Sequence, residues 1–429
     1  MSAIQPTESL DGSDADPTPG PYALLRNRSF KLYLAGRFIA SFAQQMLTVA
    51  VGWELYERTH SALALGLVGV AHILPMFLFT LPAGHLADNH DRKKIILAMT
   101  ALSATASLCL SGVSQFKLPV FFTYACLFLA GTARTFLWPA SAAFLPQIVS
   151  KKELPQAVAW NTGSFHLSSV AGPSVAGALL AFTHNAAPLY FFHALALITC
   201  LGLLSQVRHQ AATPLKEPMS LKRLISGFHF VTQQRIILGT ITLDLFAVLL
   251  GGATALLPVY AKDILEQDAS GLGLLQAALP AGSLLCSIVM AHRPPLERSG
   301  RALLWAVAGF GIATILFGLS RNFWLSWTAL FLCGATDNIS VIVRHTLVQV
   351  LTPDEKRGRV SAVNSLFIGT SNELGGFESG FVAHLAGPVF AVVSGGVGTL
   401  LIVAMVAWRW PEIRRFGRLD GSPGAKESP

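Results

Sequence analysis

Twelve apolar runs leave little room for anything else in this chain. They fall at about 30–53, 63–86, 95–113, 118–140, 157–182, 187–206, 235–258, 271–292, 302–319, 322–345, 359–383 and 387–408. Crossing the hydrocarbon of a bilayer takes roughly 17–25 residues. No water reaches that depth to satisfy backbone N–H and C=O groups, so such runs must be helices. The expected fold is an all-α membrane protein of about 12 transmembrane helices. Composition agrees, because 13% of the residues are charged, against about 25% in a soluble protein. A surface so poor in charge has the lipid bilayer as its first partner.

The net charge of +8 does not indicate nucleic acid, which would need Lys and Arg gathered with aromatics on one solvated surface. Of the 31 Lys and Arg, only Arg58, Lys117, Lys262 and Arg321 fall in one set of alternate loops, and Arg37, Arg134 and Arg344 lie well inside runs. The remainder occupy the termini, the other loops and, for Lys31, Arg235 and Arg359, the adjoining first residues of runs. Basic loops stay in the cytoplasm, so both termini are expected there, in a multi-pass protein of the cytoplasmic (inner) membrane. Residues 1–24 carry Asp11, Asp14 and Asp16 and no apolar stretch. They read as a disordered tail rather than a signal peptide.

The longest interior polar segment, 207–234, contains Arg208, Lys216, Lys222 and Arg223. It reads as a cytoplasmic linker between a first bundle at 25–206 and a second at 235–410, with a cytoplasmic tail at 411–429. An amphipathic helix from Leu221 to Phe230 is expected along the membrane surface. The five cysteines, Cys109, Cys126, Cys200, Cys286 and Cys333, all sit in apolar runs without partner spacing, so neither a zinc site nor a disulfide framework is indicated.

An offset of 203 residues lays the fourth and fifth runs on the tenth and eleventh. Gly131 then meets Gly334, Ala159 meets Ala362, Asn161 meets Asn364, Ser168 meets Ser371, Gly172 meets Gly375, and Gly177 meets Gly380. Coincident glycines at one fixed offset point to a duplication. Parallel repeats of this kind are a known transporter architecture, with substrate handled near the midplane between them.

Between the second and third runs the chain reads Gly84-His85-Leu86-Ala87-Asp88-Asn89-His90-Asp91-Arg92-Lys93-Lys94. This resembles the signature loop of the major facilitator superfamily, with Asn89 where a basic residue is usual and Asp91 where a glycine is. The resemblance implies a gating loop of Gly84, Asp88, Arg92 and Lys93 that latches one side of the protein. A carboxylate before Arg-Lys-Lys resembles the enterobactin exporter and drug efflux branch of that superfamily. In the fifth run, Gly172-Pro173-Ser174-Val175-Ala176-Gly177 is similar to the glycine-proline motif of exporters and antiporters, with Ala176 replacing one usual glycine. Gly172, Pro173 and Gly177 form a helix-packing motif, because proline bends a helix and small residues admit a close neighbour. The stretches Pro353–Val360 and Ser371–Gly375 also resemble that branch. The implied architecture is two pseudo-symmetric six-helix bundles that rock about a shared site.

Ionised residues at membrane depth cost roughly 2.5–3.5 kcal/mol each on insertion scales, so they face protein or a watery cavity. Arg37, Ser41, Gln44, Gln45 and Thr48 recur at helical spacing on the first run, a polar stripe suited to a cavity wall. Arg37 is also near enough to the membrane boundary to snorkel. Arg134 and Asp337 occupy matched repeat positions. Either they pair across the halves near the midplane, or each has a private partner in its own half. Asp244 follows Thr240 by one turn, and Asp337, Ser340 and Arg344 share a face, Arg344 reading as an interfacial anchor. Glu373 lies near mid-depth of the eleventh run and Glu378 nearer its outer end. Arg37, Gln44, Arg134, Asp244, Asp337 and Glu373 are the candidates for substrate or proton coupling, with Asp337 and Asp244 first among the carboxylates. Trp53 and Tyr56 suit an interfacial belt, and His166, His193 and His345 read as packing residues.

The expected activity is secondary active efflux of a small amphipathic molecule, a drug or siderophore-like metabolite, exchanged for protons. Uptake by the same fold is the competing direction. No phosphate-binding loop is present, so coupling to ATP within the chain is unsupported and no cofactor is expected. Nor is there a nucleophile elbow or a metal-hydrolase helix, so an enzyme is not expected. The partners implied are the small-molecule substrate and protons, with the chain acting as a monomer.

Overall fold

The computed structural model describes residues 23–150, 152–208, 221–294 and 297–417. The expected tail at 1–24 therefore lies outside the described residues except for its last two. Those begin a short 3-10 turn, Ala23–Arg26, whose Leu24 is buried against Phe30 and Phe144. Among the described residues there is no strand.

The first bundle comprises α1 (Arg28–Thr59), α2 (Ala62–Asn89), α3 (Arg92–Gln115), α4 (Val120–Phe144), α5 (Leu154–Thr183) and α6 (Ala187–Ser205). A linker helix, α7 (Leu221–Gln233), leads to the second. That bundle holds α8 (Arg235–Leu250), a short α9 (Leu257–Val259), α10 (Ala269–Ala291), α11 (Ser299–Leu319), α12 (Phe323–Leu351), α13 (Asp354–Ala386) and α14 (Pro388–Arg409), followed by α15 (Pro411–Arg415). Short polar side chains start several of these helices. Asn27, Asp91, Asp268 and Asn322 each accept hydrogen bonds from the first backbone N–H groups of α1, α3, α10 and α12, which otherwise have no partner inside the helix.

Among the described residues, eleven helical segments are long and apolar enough to span a bilayer. The remaining long helix, α13, has 33 residues and is the most polar of the long helices. It packs between α2, α8 and α14, with Asn364, Ser371 and Ser379 buried in those contacts. The seventh spanning segment is not a continuous helix. After α8 the chain passes Gly251-Gly252 into a 3-10 turn (Ala253–Leu256), then α9, then a π-turn (Tyr260–Ile264). A Cβ on Gly252 would lie 2.5 Å from the Gly375 carbonyl, so the bend depends on a bare backbone.

The repeat is visible in what each matched glycine touches. A Cβ on Gly131 would meet Pro75 of α2 at 2.9 Å, and one on Gly334 would meet Leu279 of α10 at 2.9 Å. One on Gly172 would meet Gln45 of α1 at 2.7 Å, and one on Gly375 would meet Val248 of α8 at 2.8 Å. Gly177 and Gly380 carry the halves against each other. A Cβ on Gly177 would lie 2.9 Å from the Cα of Gly273 in α10, and one on Gly380 would lie 2.7 Å from the Cα of Gly66 in α2. Equivalent positions thus make equivalent contacts in two pseudo-symmetric six-helix bundles.

Both crossings between halves lie toward the end of the molecule with few Lys and Arg, here termed the sparse end as opposed to the basic end. Side chains reinforce them there. Tyr56 donates to Asp263, Lys262 pairs with Glu57 at 2.9 Å, and Gly52 abuts Pro258. Tyr56 is buried, so it is a clasp between bundles and not the interfacial residue its sequence context implies. Within the first bundle, Glu54 accepts from Tyr190 at 2.8 Å and pairs with Arg58 at 3.3 Å.

Two boundary segments are more integrated than the sequence implies. The linker helix α7 docks on α13. Phe228 stacks on Phe367, Lys356 sits over the Phe230 ring at 4.7 Å, and Arg359 donates to Ser226 at 3.2 Å. The expected tail at 411–429 begins as part of the second bundle. Ile413 is buried, Glu412 pairs with Arg235 at 3.2 Å, and Ser299 N–H donates to Gly417 at 3.1 Å.

Crowding by a new Cβ in a close-packed crossing costs about 1–3 kcal/mol. Gly177→Val or Gly380→Val should therefore lower the unfolding temperature of the detergent-purified protein by several degrees. Gly112→Ala and Gly202→Ala, with no atom within 4 Å of the added Cβ, should leave it unchanged.

Candidate functional site

The polar stripe of α1 opens onto the space between the bundles. Gln44, Thr48 and Gly52 follow one another at four-residue steps and share a helix face. Gly52 on that face touches Pro258 of the other half, while Thr48 and Gln44, one and two turns deeper, are exposed. The halves meet above these residues and leave them unpacked below, a gap in the packing on the basic side of the sparse-end seal. Gln45, turned away from that gap, donates to Ser169 of α5 at 3.1 Å. Arg37 lies toward α6, with Tyr33 and Cys200 as electrostatic neighbours and its Nε buried without a hydrogen bond.

One ion pair crosses this gap. Arg134 Nη1 of α4 donates to Glu373 Oε1 of α13 at 3.0 Å, with the arginine side chain 64% exposed and the glutamate 18%. Neither pairing expected for Arg134 is made: its partner lies in the opposite half, but it is Glu373 rather than Asp337. The tertiary crossing explains this. The Glu373 carbonyl lies directly against Gly69 of α2, so α13 approaches α2 closely enough for the Glu373 carboxylate to reach past it to α4. His72, one turn along α2 from Gly69 and beside Gly131, completes the cluster. Its Nδ1 is buried without a hydrogen bond, and Glu373 and Arg134 are its charged neighbours. The sequence marks His72 only as a histidine three residues before a proline within an apolar run.

Apart from Arg37, the other intramembrane charges collect inside the second bundle. Asp244 of α8 and Arg344 of α12 form a buried ion pair, exposed by 8% and 2% respectively. Arg344 is accordingly not an interfacial anchor. Asp337 and Ser340, on the same face of α12, line a crevice with Asp244, Ala247, Val248, Val307 and Phe310. Glu378 accepts from Ser379 at 3.4 Å. His193 is buried and hydrogen-bonded to Ser107 at 2.7 Å, the packing role expected of it. The five cysteines are all free.

The loop between α2 and α3 ties the first bundle together. Asp91, standing where glycine is usual, caps α3 through the Lys93 N–H. Arg92 Nε donates to Ala87 O at 3.2 Å, and Lys93 Nζ donates to the carbonyls of Ser205 and Val207 at the end of α6 at 2.7 and 2.8 Å. Gly84 is buried. In the glycine-proline segment, Gly172 accommodates α1, while Pro173 O and Gly177 lie against Gly273 of α10. The motif therefore joins α5 both to its own bundle and to the other.

Comparison with known proteins places these features in a family. The profile of a family described as transmembrane secretion effectors matches residues 19–424. The chain is 28% identical to the enterobactin exporter EntS of Escherichia coli O1:K1, over 93% of this chain and 96% of that one. The enterobactin exporter of Shigella boydii serotype 18 matches to the same extent. Among solved structures, a POT family transporter in complex with 5-aminolevulinic acid superposes with a TM-score of 0.72 at 12% identity, over 92% of this chain and 98% of that one. A bacterial homologue of the human lysosomal transporter Spinster gives 0.70 at 13%, over 90% and 98%.

Removing one partner of a buried ion pair leaves an uncompensated charge at a cost of about 3–5 kcal/mol. Asp244→Asn should strongly lower the unfolding temperature in detergent. The double variant Asp244→Asn with Arg344→Gln should recover much of the loss, as a double-mutant cycle on purified protein would read out.

Proposed function

Because this chain belongs to the transmembrane secretion effector family of the major facilitator superfamily, we propose that it is a secondary active exporter. Its cargo is a small amphipathic molecule, a drug or siderophore-like metabolite, moved across the inner membrane by alternating access and proton antiport. The basic end faces the cytoplasm, as the distribution of Lys and Arg favours. The observation that carries the reading is the Arg134–Glu373 ion pair. It joins the two bundles from the walls of the gap between them, where loss of one charge changes how the bundles attract each other.

The cycle follows from that placement. With the sparse end sealed by the glycine crossings and the Tyr56–Asp263 and Lys262–Glu57 contacts, cargo enters from the basic end and meets Gln44, Thr48 and Arg134. The rest of the gap is bounded by helices of low charge, which suits an amphipathic ligand. A proton on Glu373 dissolves its ion pair and frees Arg134, so protonation and cargo binding each bias the balance between the two openings. His72, buried beside both groups, is placed to exchange protons with Glu373. When the bundles rock, the gating loop of Gly84, Asp88, Arg92 and Lys93 latches the basic end while the sparse end opens. The similarity to enterobactin exporters supports outward transport and a siderophore-like cargo, and a monomer suffices for every step.

In inside-out membrane vesicles with an acidified lumen, ethidium or iron-free enterobactin should accumulate, and a protonophore should abolish the accumulation. Uptake of the probes into right-side-out vesicles instead would contradict the direction. Glu373→Gln should reduce proton-driven accumulation by about tenfold or more, the size of a typical coupling free energy. Facilitated equilibration of the probe should persist.

A further inference from the structure

The basic end of the second bundle carries a group of arginines that the fold does not use. Three spanning helices reach it together: α8 begins at Arg235, α11 begins at Ser299, and α14 ends at Arg409. The short α15 lies across them, locked by its backbone and its apolar side chains. Ser299 N–H donates to Gly417 O at 3.1 Å, and Gly300 N–H donates to Phe416 O at 3.3 Å. A Cβ on Gly239 of α8 would lie 2.6 Å from Ile413. In the first bundle a side chain makes the matching closure, Lys93 Nζ donating to the carbonyls at the end of α6. Here the backbone makes it, and the charged side chains stay outside. Arg235, Arg298, Arg301, Arg409, Arg414 and Arg415 are all exposed. Arg235 pairs with Glu412, and Arg409 lies over the Trp410 ring at 5.5 Å. The other four make no hydrogen bond or ion pair among the described residues. The carboxylates around α15 among those residues are Glu297 and Glu412, so positive charge is in excess.

We propose that this face is a docking site for the phosphodiester headgroups of anionic phospholipids in the basic-end leaflet. Position selects lipid over free phosphate. The spanning segments of α8, α11 and α14 all reach the bilayer surface here. Trp408, next to Arg409 and 81% exposed, is an aromatic of the kind that sits at headgroup level. The arginines therefore stand where headgroups lie. Chemistry agrees, because all six are arginine. A planar guanidinium grips two phosphate oxygens at once, whereas a lysine ammonium acts as a point charge. Basic clusters of this size beside the end of a spanning helix attract anionic lipid. The excess of positive charge favours phosphatidylglycerol over phosphatidylcholine, whose own ammonium it repels. A headgroup shared by Arg301, Arg409 and Arg414 ties α11, α14 and α15 together at the membrane surface, which no ion pair among the described residues does. The site does not depend on the exporter reading, since it rests on where these helices end and not on which way cargo moves.

The test is native mass spectrometry of the full-length protein from detergent doped with equal amounts of phosphatidylglycerol and phosphatidylcholine, alongside thermal unfolding with each lipid. The wild type should retain phosphatidylglycerol in preference. That lipid alone should raise the unfolding temperature by a few degrees, as a ligand of the folded state does. Each arginine near the surface contributes about fivefold. Arg409→Gln with Arg414→Gln and Arg415→Gln should therefore weaken the preference by about tenfold or more and abolish the temperature shift. Arg28→Gln with Lys31→Gln and Lys94→Gln removes as much exposed charge from the basic end of the first bundle, and should leave both readings unchanged. Circular dichroism checks that the variants fold. Arg414→Gln alone, which loses no partner among the described residues, should still weaken the preference about fivefold. The proposal is overturned if both lipids are retained equally, or if the first-bundle variant loses as much as the second-bundle one. It is overturned too if inorganic phosphate at matched ionic strength stabilises as well as phosphatidylglycerol, which would make the face a free-anion site. A chain that keeps its lipid preference but moves no probe in vesicles counts against the exporter reading and leaves this site intact.

Discussion

Two helix backbones come closest where neither side carries a Cβ, and among the described residues two glycine pairs meet in this way between the halves. Gly177 against Gly273 and Gly66 against Gly380 bring α5 onto α10 and α2 onto α13. In lipid there is no hydrophobic drive between helices, so close van der Waals approach of this kind is what holds bundles together. The rest follows from where these crossings fall. They seal the sparse end, where Tyr56 and Glu57 reach Asp263 and Lys262. They leave Gln44 and Thr48 exposed below the seal, and the second crossing carries Glu373 past Gly69 to Arg134.

The charged groups divide the labour between the bundles. Arg134 and Glu373 face each other across the gap, partly hydrated, where an ion pair is weak enough to break and re-form. Asp244 and Arg344 are buried within one bundle, where a pair is costly to break and serves to fix α8 against α12. Asp337 stands between these regimes, inside the second bundle yet without a fixed partner among the described residues. A transporter needs both kinds: pairs that hold each bundle as a body, and groups whose partners change when the bodies move.

Much of this was legible in the sequence because its signals are local or periodic. Apolar run length gave the spans, and the glycines at an offset of 203 gave the repeat, since a residue required for close approach must recur wherever the approach recurs. What could not be read depends on how helices cross. Arg134 finds Glu373 because α13 leans on Gly69, which nothing in the sequence around Arg134 reveals. His72 resembles any histidine in an apolar run until α4 and α13 are placed beside it. Arg344 looked interfacial by its distance from the end of its run, but Asp244 draws it inward. The bend after α8 had a signal in Gly251-Gly252 that the continuous apolar character masked. The docking of α7 and α15 depends on receiving grooves in α13 and α11 that exist only in the folded bundle.

The central claim is that the halves must part at the glycine crossings for anything to move. In a background freed of the five native cysteines, Glu57→Cys and Lys262→Cys together would place two thiols across the sparse-end seal, beside the crossings and without a Cβ on any glycine. The account predicts that joining this pair with a short disulfide-containing bismaleimide stops efflux of ethidium from inside-out vesicles' outer medium into their lumen, and that a reductant restores it. Transport at an undiminished rate through a fully cross-linked protein would contradict it.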